Sequence, residues 1–266
     1  MHFVPINYSD PDFDRFDLTK FWLLIILNQD TFSYAVSHPV THWLIYVSTG
    51  NTLSGLWEPQ ESPEVLGSSY QKIVVAIETN SFCLVPDAVF TPEKLLGFAA
   101  FLSVKEADVI LKDQIENGQN TVIFTFPEEL IRKIETRFNS PEIAFAPKGW
   151  IKTVFEARLS GQNLYLFLKE NQLQVLFPDQ DKIRFYNQFV CSTADEVVYF
   201  TALVANQLQL KPEETTLIIS GRVEADSGQV LRLKEFFKEV VLFGTTDYKQ
   251  INTLAQHQIA DFLGLS

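Results

Sequence analysis

The order of hydrophobic and polar positions is clearest in the second half of the chain. Apolar runs at residues 163–169 and 172–177 flank the polar pair Glu170-Asn171, which is typical of a tight β-hairpin turn. A third run, rich in aromatic and β-branched residues, follows at residues 182–191. These runs predict a meander of three β-strands.

Helical periodicity begins directly after this meander. Thr193 and Glu196 have the spacing of a capping box, in which each side chain accepts a backbone hydrogen bond at the start of a helix. The apolar stripes of this helix and the next comprise Val197, Phe200, Leu203, Val204, Leu208, Val230, Leu233, Phe236 and Phe237. The further elements predicted are a strand at 215–220, a helix at 229–239, a strand at 240–243 and a terminal helix with its stripe from Ile251 to Leu263. The order βββαβαβα predicts a mixed sheet covered by helices.

The first half begins with the same pattern. Three apolar runs separated by polar turns predict a meander, and a helix is expected from Thr91, because Pro92 then occupies its favoured first helical position. The strands predicted here are 21–27, 31–38, 42–48, the pair 72–78 and 81–85, then 108–112, 121–126 and 142–145, with helices at 127–138 and about 148–159. The chain is therefore interpreted as an acidic leader (1–20), a first half with an insertion (21–148) and a second half (149–266).

Composition and charge narrow the range of functions. The 266 residues are 46% hydrophobic with a net charge of −12, which disfavours binding to nucleic acid or anionic lipid. Two cysteines provide neither a disulfide framework nor a cysteine-based metal site. The leader lacks the features of a secretory signal, and the apolar run at 21–27 is far shorter than the ~20 residues of a membrane helix. A cytoplasmic protein without direct membrane insertion is expected.

Two βββαβαβα halves in one chain resemble the actin-like ATPase fold, a duplicated ribonuclease-H-like α/β architecture with mixed sheets. The stretch FYNQFVCSTADEVVYFTALVANQLQLKPEETTLIISGRV and the opening FWLLIILNQDTFSYAV also resemble an uncharacterised bacterial domain-of-unknown-function family with this fold. The resemblance spans most of the chain, but its motifs are strands, turns and caps that carry no chemistry of their own.

The resemblance implies where a nucleotide would bind. Working members of the fold place an Asp-x-Gly turn in the first hairpin of each half, because glycine lets the backbone approach phosphate. Neither equivalent turn contains glycine here, and one glycine stands where a pair is usual in the third, adenosine-binding loop. The candidate nucleotide-binding residues are Asp30, Thr31, Lys169, Asn171, Ser220, Gly221 and Arg222. The structural alternatives are that Asp30 caps its turn, Gly221 makes a strand-to-helix turn and Arg222 pairs with Glu224.

Other chemistries find little support. The first strand of each half lacks the carboxylate that a two-metal nuclease requires. His38 and His42 lie on a strand–turn–strand segment, where their spacing does not predict a shared metal site. Cys191 precedes a helix start that could lower its pKa, although a buried structural cysteine is favoured. No metal is expected.

The leading hypothesis is a non-catalytic actin-like scaffold or protein-interaction module whose partner is another protein. The chain contains 23 phenylalanines, more than its predicted hairpins and helices obviously require. Phe185, Tyr186 and Phe189 are therefore candidates for an exposed partner-binding patch, and the alternative is that the same residues pack in the core. The alternative is a nucleotide-binding switch that takes ATP or ADP with Mg²⁺ but hydrolyses little or none. No cofactor is expected under the leading hypothesis.

Overall fold

The computed structural model describes residues 5–58, 63–115, 118–244 and 254–266. These residues form two compact units. The first unit comprises residues 5–150 and 262–266, and the second comprises residues 151–261.

The main sheet of the first unit has six strands in the order β1-β4-β3-β2-β5-β9. Strands β1 to β4 pair antiparallel, and β2, β5 and β9 pair parallel. Its strands are β1 (Asn7–Ser9), β2 (Trp22–Leu27), β3 (Thr31–Ser37), β4 (Leu44–Thr52), β5 (Lys72–Ile77) and β9 (Glu142–Phe145). The central strands have near-continuous buried apolar residues because both of their faces are covered.

The helices of the first unit are α1 (Ser54–Trp57), α2 (Leu95–Ala99), α3 (Glu128–Arg137) and the start of α4 (Pro147–Ala157). A 3-10 helix at Pro92–Lys94 leads into α2. Thr91 is the N-cap of this 3-10 turn, as its sequence position predicts, although its side chain makes no capping hydrogen bond. The predicted helix at 127–138 is confirmed as α3.

The predicted pairing of segment 72–78 with segment 81–85 is wrong. The second segment forms β6 (Phe82–Pro86), which pairs antiparallel with β8 (Asn120–Pro127) in a separate sheet of order β6-β8-β7, where β7 is Asp108–Ile115. The short polar link between the segments resembles a hairpin turn in sequence. However, β5 pairs with β2 on one edge and with β9 on the other, so neither edge is open to β6.

The leader contains a strand that hydrophobic periodicity does not reveal. Asn7–Ser9 pairs with β4 at the edge of the six-stranded sheet, and the amide of Ile6 donates to the side chain of Thr49 at 2.8 Å. Exposed and half-buried residues make up this strand, so it carries no strong apolar signal.

The second unit contains a five-stranded sheet of order β12-β11-β10-β13-β14. Its strands are β10 (Asn163–Lys169), β11 (Gln172–Asp179), β12 (Lys182–Val190), β13 (Thr216–Gly221) and β14 (Glu239–Leu242). The meander β10–β12 is antiparallel, whereas β13 and β14 run parallel to β10. The hairpin predicted at Glu170-Asn171 is confirmed, with Asn171 at a φ of 57°.

Three helices follow the meander: α5 (Ala194–Gln207), α6 (Gly228–Lys234) and α7 (Gln256–Leu263). The capping box is confirmed, because the amide of Glu196 donates to Thr193 Oγ1 and the amide of Thr193 donates to the Glu196 carboxylate. Helix α6 ends at Lys234, earlier than predicted, and residues 239–242 pair with β13 as strand β14. The predicted start of the terminal stripe at Ile251 lies outside the described residues.

The core of the second unit lies between its sheet and α5 and α6, with Leu166, Leu217 and Val204 among its buried members. Two residues of the predicted apolar stripes do not join this core. Leu203 and Phe236 are 43% and 50% exposed. The buried side of α5 instead includes Val197, Val204 and Ala205, and Phe236 lies beyond the end of α6 at Lys234.

Replacing Thr193 with alanine removes one half of the capping box and should lower the free energy of unfolding by about 1 kcal/mol. Urea denaturation followed by circular dichroism measures this change. Ser192→Ala serves as the control, because it keeps the backbone amide that donates to Glu196, at 2.6 Å. Equal stability losses in the two variants would contradict the assigned role of Thr193.

Candidate functional site

The hairpin turn between β2 and β3 is closed by the side chain of Asn28. Its Oδ1 atom accepts hydrogen bonds from the amides of Asp30 and Thr31, at 2.8 and 2.7 Å. Asp30 is exposed. Asn28 therefore caps the turn, a role that the sequence had suggested for Asp30.

The turn between β10 and β11 positions Lys169 and Asn171. The Lys169 side chain is largely buried, and its Nζ atom lies 3.9 Å from Oδ2 of Asp261, a residue of α7 that is itself buried. The same Nζ atom lies 5.3 Å from the centre of the Phe167 ring. A carboxylate and an aromatic face thus surround the lysine charge.

The end of β13 carries Ser220, Gly221 and Arg222. Ser220 is completely buried, and its hydroxyl has no hydrogen-bond partner among the described residues. Gly221 has a φ of +112°, and a Cβ added to it would lie 2.8 Å from both the carbonyl carbon and the amide nitrogen of Leu168. This position requires glycine because β10 and β13 approach closely here.

The parallel pairing of β10 and β13 collects several candidate residues at one edge of the sheet. Leu168 and Gly221 are the last paired residues, so Lys169 and Arg222 both follow directly after that pair. Carboxyl ends of parallel strands are the usual place for ligands in α/β sheets. Asp30 and Thr31 belong to the other unit.

Helix α7 adds polar groups that the sequence prediction missed. Gln256, His257 and Asp261 are all buried. Gln256 packs against Gly244, at the end of the β14 segment, where an added Cβ would lie 2.8 Å from the Gln256 Cβ. One sequence feature could have indicated this group: Asp261 is an acidic residue within the apolar sequence Ile259-Ala260-Asp261-Phe262. An acidic side chain among apolar neighbours is unusual enough to suggest a buried polar site.

His257 connects α7 to the segment after β13. Its Nε2 atom lies 2.9 Å from the carbonyl oxygen of Val223, to which it can donate a hydrogen bond. Burial lowers the pKa of His257, and this effect outweighs the opposing effects of the Val223 hydrogen bond and the Glu224 carboxylate. The neutral imidazole is therefore the form that the fold favours.

The proposed partner patch on β12 is not an exposed surface. Tyr186 is buried, and its hydroxyl donates to Gln174 Oε1 at 3.1 Å. Phe185 and Phe189 pack against the core, and Phe189 stacks on Phe200 with ring centres 4.7 Å apart. Phe185 and Phe189 are therefore half-buried against the core, and Tyr186 is buried with its hydroxyl hydrogen-bonded.

The cysteine and histidine candidates occupy structural positions. Burial, with a smaller contribution from Glu196, raises the pKa of Cys191 to about 11, so its thiol stays protonated near neutral pH. His38 Nδ1 lies 3.3 Å from the amides of both Val40 and Thr41. Among the described residues, no group of three metal-binding side chains comes together.

Comparison with known proteins places this chain in a family. The model of a protein family of unknown function, DUF3822, matches residues 10–240. The chain belongs to the DUF3822 family. No curated protein matches its sequence.

Two solved structures resemble this DUF3822 member over most of its length. A protein of unknown function from Bacteroides thetaiotaomicron, which has an actin-like ATPase fold, matches with a TM-score of 0.74 and 16% identity over 88% of this chain and 95% of its own. A PilM–PilN type IV pilus biogenesis complex matches with a TM-score of 0.57 and 13% identity over 91% of this chain and 96% of that chain. The predicted actin-like fold is confirmed. Within the described residues, helices long and apolar enough to cross a membrane are absent.

Gly221→Ala should destabilise the chain by about 3 kcal/mol or more, because the new methyl group combines backbone strain with a clash against Leu168. Gly228→Ala is the matched control, since a Cβ at Gly228 meets nothing within 4 Å. Thermal and urea unfolding of both variants measure the difference. A Gly221→Ala protein as stable as Gly228→Ala would disprove the close approach of β10 and β13.

The buried His257 should make stability depend on pH. Its folded pKa lies below the ordinary value of 6.5, so the unfolded chain takes up the proton first as the pH falls. The stabilising contribution is therefore present above about pH 6.5 and is lost as the pH falls through the folded pKa. Urea unfolding between about pH 5 and 8 should show a shallower pH dependence for His257→Gln than for the wild type. Identical slopes would show that this histidine does not contribute.

Proposed function

We propose that this chain is a non-catalytic protein-interaction module built on the actin-like fold. The observation that carries the proposal is the closed turn between β2 and β3. Phosphate-binding turns present free backbone amides to the ligand. The amides of Asp30 and Thr31 already donate to Asn28 Oδ1.

The surroundings of Lys169 support the same proposal. A lysine that binds phosphate supplies an uncompensated positive charge. Lys169 instead lies beside the buried Asp261 carboxylate, 3.9 Å from its Oδ2 atom. Bringing a phosphate to this lysine would place a second anion close to Asp261, which is electrostatically unfavourable.

A protein partner is supported by the structural comparison. The PilM–PilN complex, which matches with a TM-score of 0.57, is an assembly of different proteins. The net charge of −12 favours a protein partner over nucleic acid. The free cysteines Cys83 and Cys191 are consistent with a reducing cytoplasmic setting.

Nucleotide binding is the second candidate function. It is favoured by the positions of Lys169 and Arg222, which both follow the final register pair of adjacent parallel strands. The buried Ser220 hydroxyl, without a partner among the described residues, lies at the same strand end. Under this candidate, ATP or ADP with Mg²⁺ would bind at the edge of the second unit's sheet.

Thermal unfolding with and without ATP, ADP and Mg²⁺ distinguishes the two functions. The interaction module should show no change in midpoint, whereas a nucleotide present at 100 times its Kd would add about 2.7 kcal/mol of stability. Arg222→Ala is the control for specificity. A stabilisation in the wild type that disappears in Arg222→Ala would overturn the proposal.

The interaction itself is tested by affinity purification from the native host. We expect a protein to be retained stoichiometrically by the tagged wild-type chain after a wash at moderate salt. A tagged, unrelated acidic protein controls for charge-driven capture. Repeated purification without any retained protein would contradict an interaction module.

A further inference from the structure

One segment of the first unit is apolar on two sides. Residues 95–104 lie between Lys94 and Lys105 and carry no polar side chain except that of Ser103. They form α2 and the turn that follows it. The inner side packs with Val85 of β6 and Ile123 of β8, and it comprises Leu95, Phe98, Ala99 and Leu102. Contact with the three-stranded sheet therefore accounts for one side of the segment.

The other side of this segment is exposed. Phe101 and Leu96 are 83% and 71% exposed, and Val104 is exposed as well. The exposed small residues Gly97 and Ala100 lie between Leu96 and Phe101 in sequence. The amide of Ala100 donates to the Leu96 carbonyl at 3.1 Å, which holds this turn together. We call these five residues the α2 surface. Contiguous exposed apolar residues are typical of interaction sites.

Gly97 has no role in the packing of its own chain. It lies within α2, where glycine is less favourable than alanine. A Cβ added to it would meet nothing within 4 Å, and its φ lies outside the left-handed region that favours glycine. The space above Gly97 is therefore open, and a small residue here permits close approach by another molecule.

The order of residues around Ala100 is symmetric. Leu96 and Val104 lie four positions before and after it, and Lys94 and Glu106 lie six positions before and after it. A two-fold symmetric contact pairs one surface with the same surface of a second copy. With the axis at Ala100, Leu96 meets the partner's Val104, and the small Ala100 side chain lets the two copies approach.

The charges at the ends of the segment match their own reverse. Lys94 and Glu106 are exposed, and neither forms an ion pair with another described residue. The same two-fold axis brings Lys94 beside the partner's Glu106 at both ends. Glu93 and Lys105 add one charge of each sign, so the segment has a neutral rim although the chain carries −12. Charges more than about 8 Å away are largely screened at physiological salt.

We propose that the α2 surface binds a second copy of this chain in an antiparallel, two-fold symmetric contact. The Phe101 ring packs in the open space above the partner's Gly97, and Lys94 pairs with the partner's Glu106. A second copy fits because both the apolar order and the end charges match their own reverse. The contact is small, so a dimer that dissociates on dilution is expected. This proposal does not depend on the proposed interaction with a different protein.

Sedimentation velocity of the full chain over micromolar concentrations tests the proposal. Leu96→Ser combined with Phe101→Ser should weaken self-association by at least about tenfold. The matched control is Tyr199→Ser combined with Leu231→Ser, which removes two exposed apolar side chains from the second unit. Circular dichroism and thermal midpoints verify that the variants fold. A wild type that is monomeric at every concentration, or equal dimerisation of the two double variants, would overturn the proposal.

Charge reversal tests the orientation of the two copies. Lys94→Glu and Glu106→Lys should each weaken self-association by at least about threefold, because each brings like charges together at both ends. A mixture of the two variants should form a heterodimer, and a chain with both reversals should regain the wild-type association. If neither the mixture nor the double reversal restores binding, the antiparallel contact is wrong.

A substitution at Gly97 tests the close approach. Gly97→Gln should weaken self-association by at least about tenfold, because the added side chain occupies the space of the Phe101 ring. Its thermal midpoint should not fall, since nothing lies within 4 Å of the new Cβ. Gly228→Gln is the matched control at another open glycine. Unchanged self-association of Gly97→Gln would overturn the proposed packing.

The same measurements separate this proposal from the proposed function. If a tagged chain retains a different protein while the wild type is monomeric, the interaction function stands and the dimer fails. If that retained protein is lost in the Leu96/Phe101 variant, the α2 surface binds a different protein instead of a second copy. If the wild type dimerises through this surface but retains no other protein, the dimer stands and the proposed function fails.

Discussion

The close parallel pairing of β10 and β13 is the constraint on which the second unit depends. At the last register pair, the backbone of Leu168 comes so near to Gly221 that no side chain fits there. This approach places Lys169 and Arg222 at the same edge of the sheet. Two residues after Gly221, the carbonyl oxygen of Val223 lies 2.9 Å from Nε2 of His257 in α7. Gly221 therefore permits the close strand pairing that brings Lys169 and Arg222 to the same edge of the sheet.

Two local electrostatic arrangements use groups that the resemblance to actin-like ATPases implied for phosphate binding. In the first unit, Asn28 accepts the amides of the β2–β3 turn. In the second, the Asp261 carboxylate accompanies the Lys169 ammonium group within a largely buried environment. Both arrangements satisfy polar groups within the protein. The proposed interaction function does not require either group to bind a ligand.

The sequence predicted strands and helices well where a single apolar face decided the structure. The capping box at Thr193, the hairpin at Asn171 and helix α3 depend on neighbouring residues and are confirmed. The pairing of β6 was wrong because its partner, β8, is distant in sequence. Leu203 and Phe236 follow the helical period of the core, yet they are 43% and 50% exposed, and Phe236 lies beyond the end of α6.

For the candidate site, the resemblance to the actin-like fold implied Lys169, Gly221 and Arg222 as nucleotide-binding candidates, and the structure places them at the ends of β10 and β13. The sequence could not identify Asp261 or His257 as their neighbours, because α7 reaches that strand edge only through tertiary packing. The sequence by itself determined the element types, the missing turn glycines and the acidic charge, all of which are local or compositional properties. Tertiary structure alone decided that Lys169 lies beside the Asp261 carboxylate and that apolar residues such as Leu203 remain outside the core. Those contacts depend on how distant segments share a limited volume.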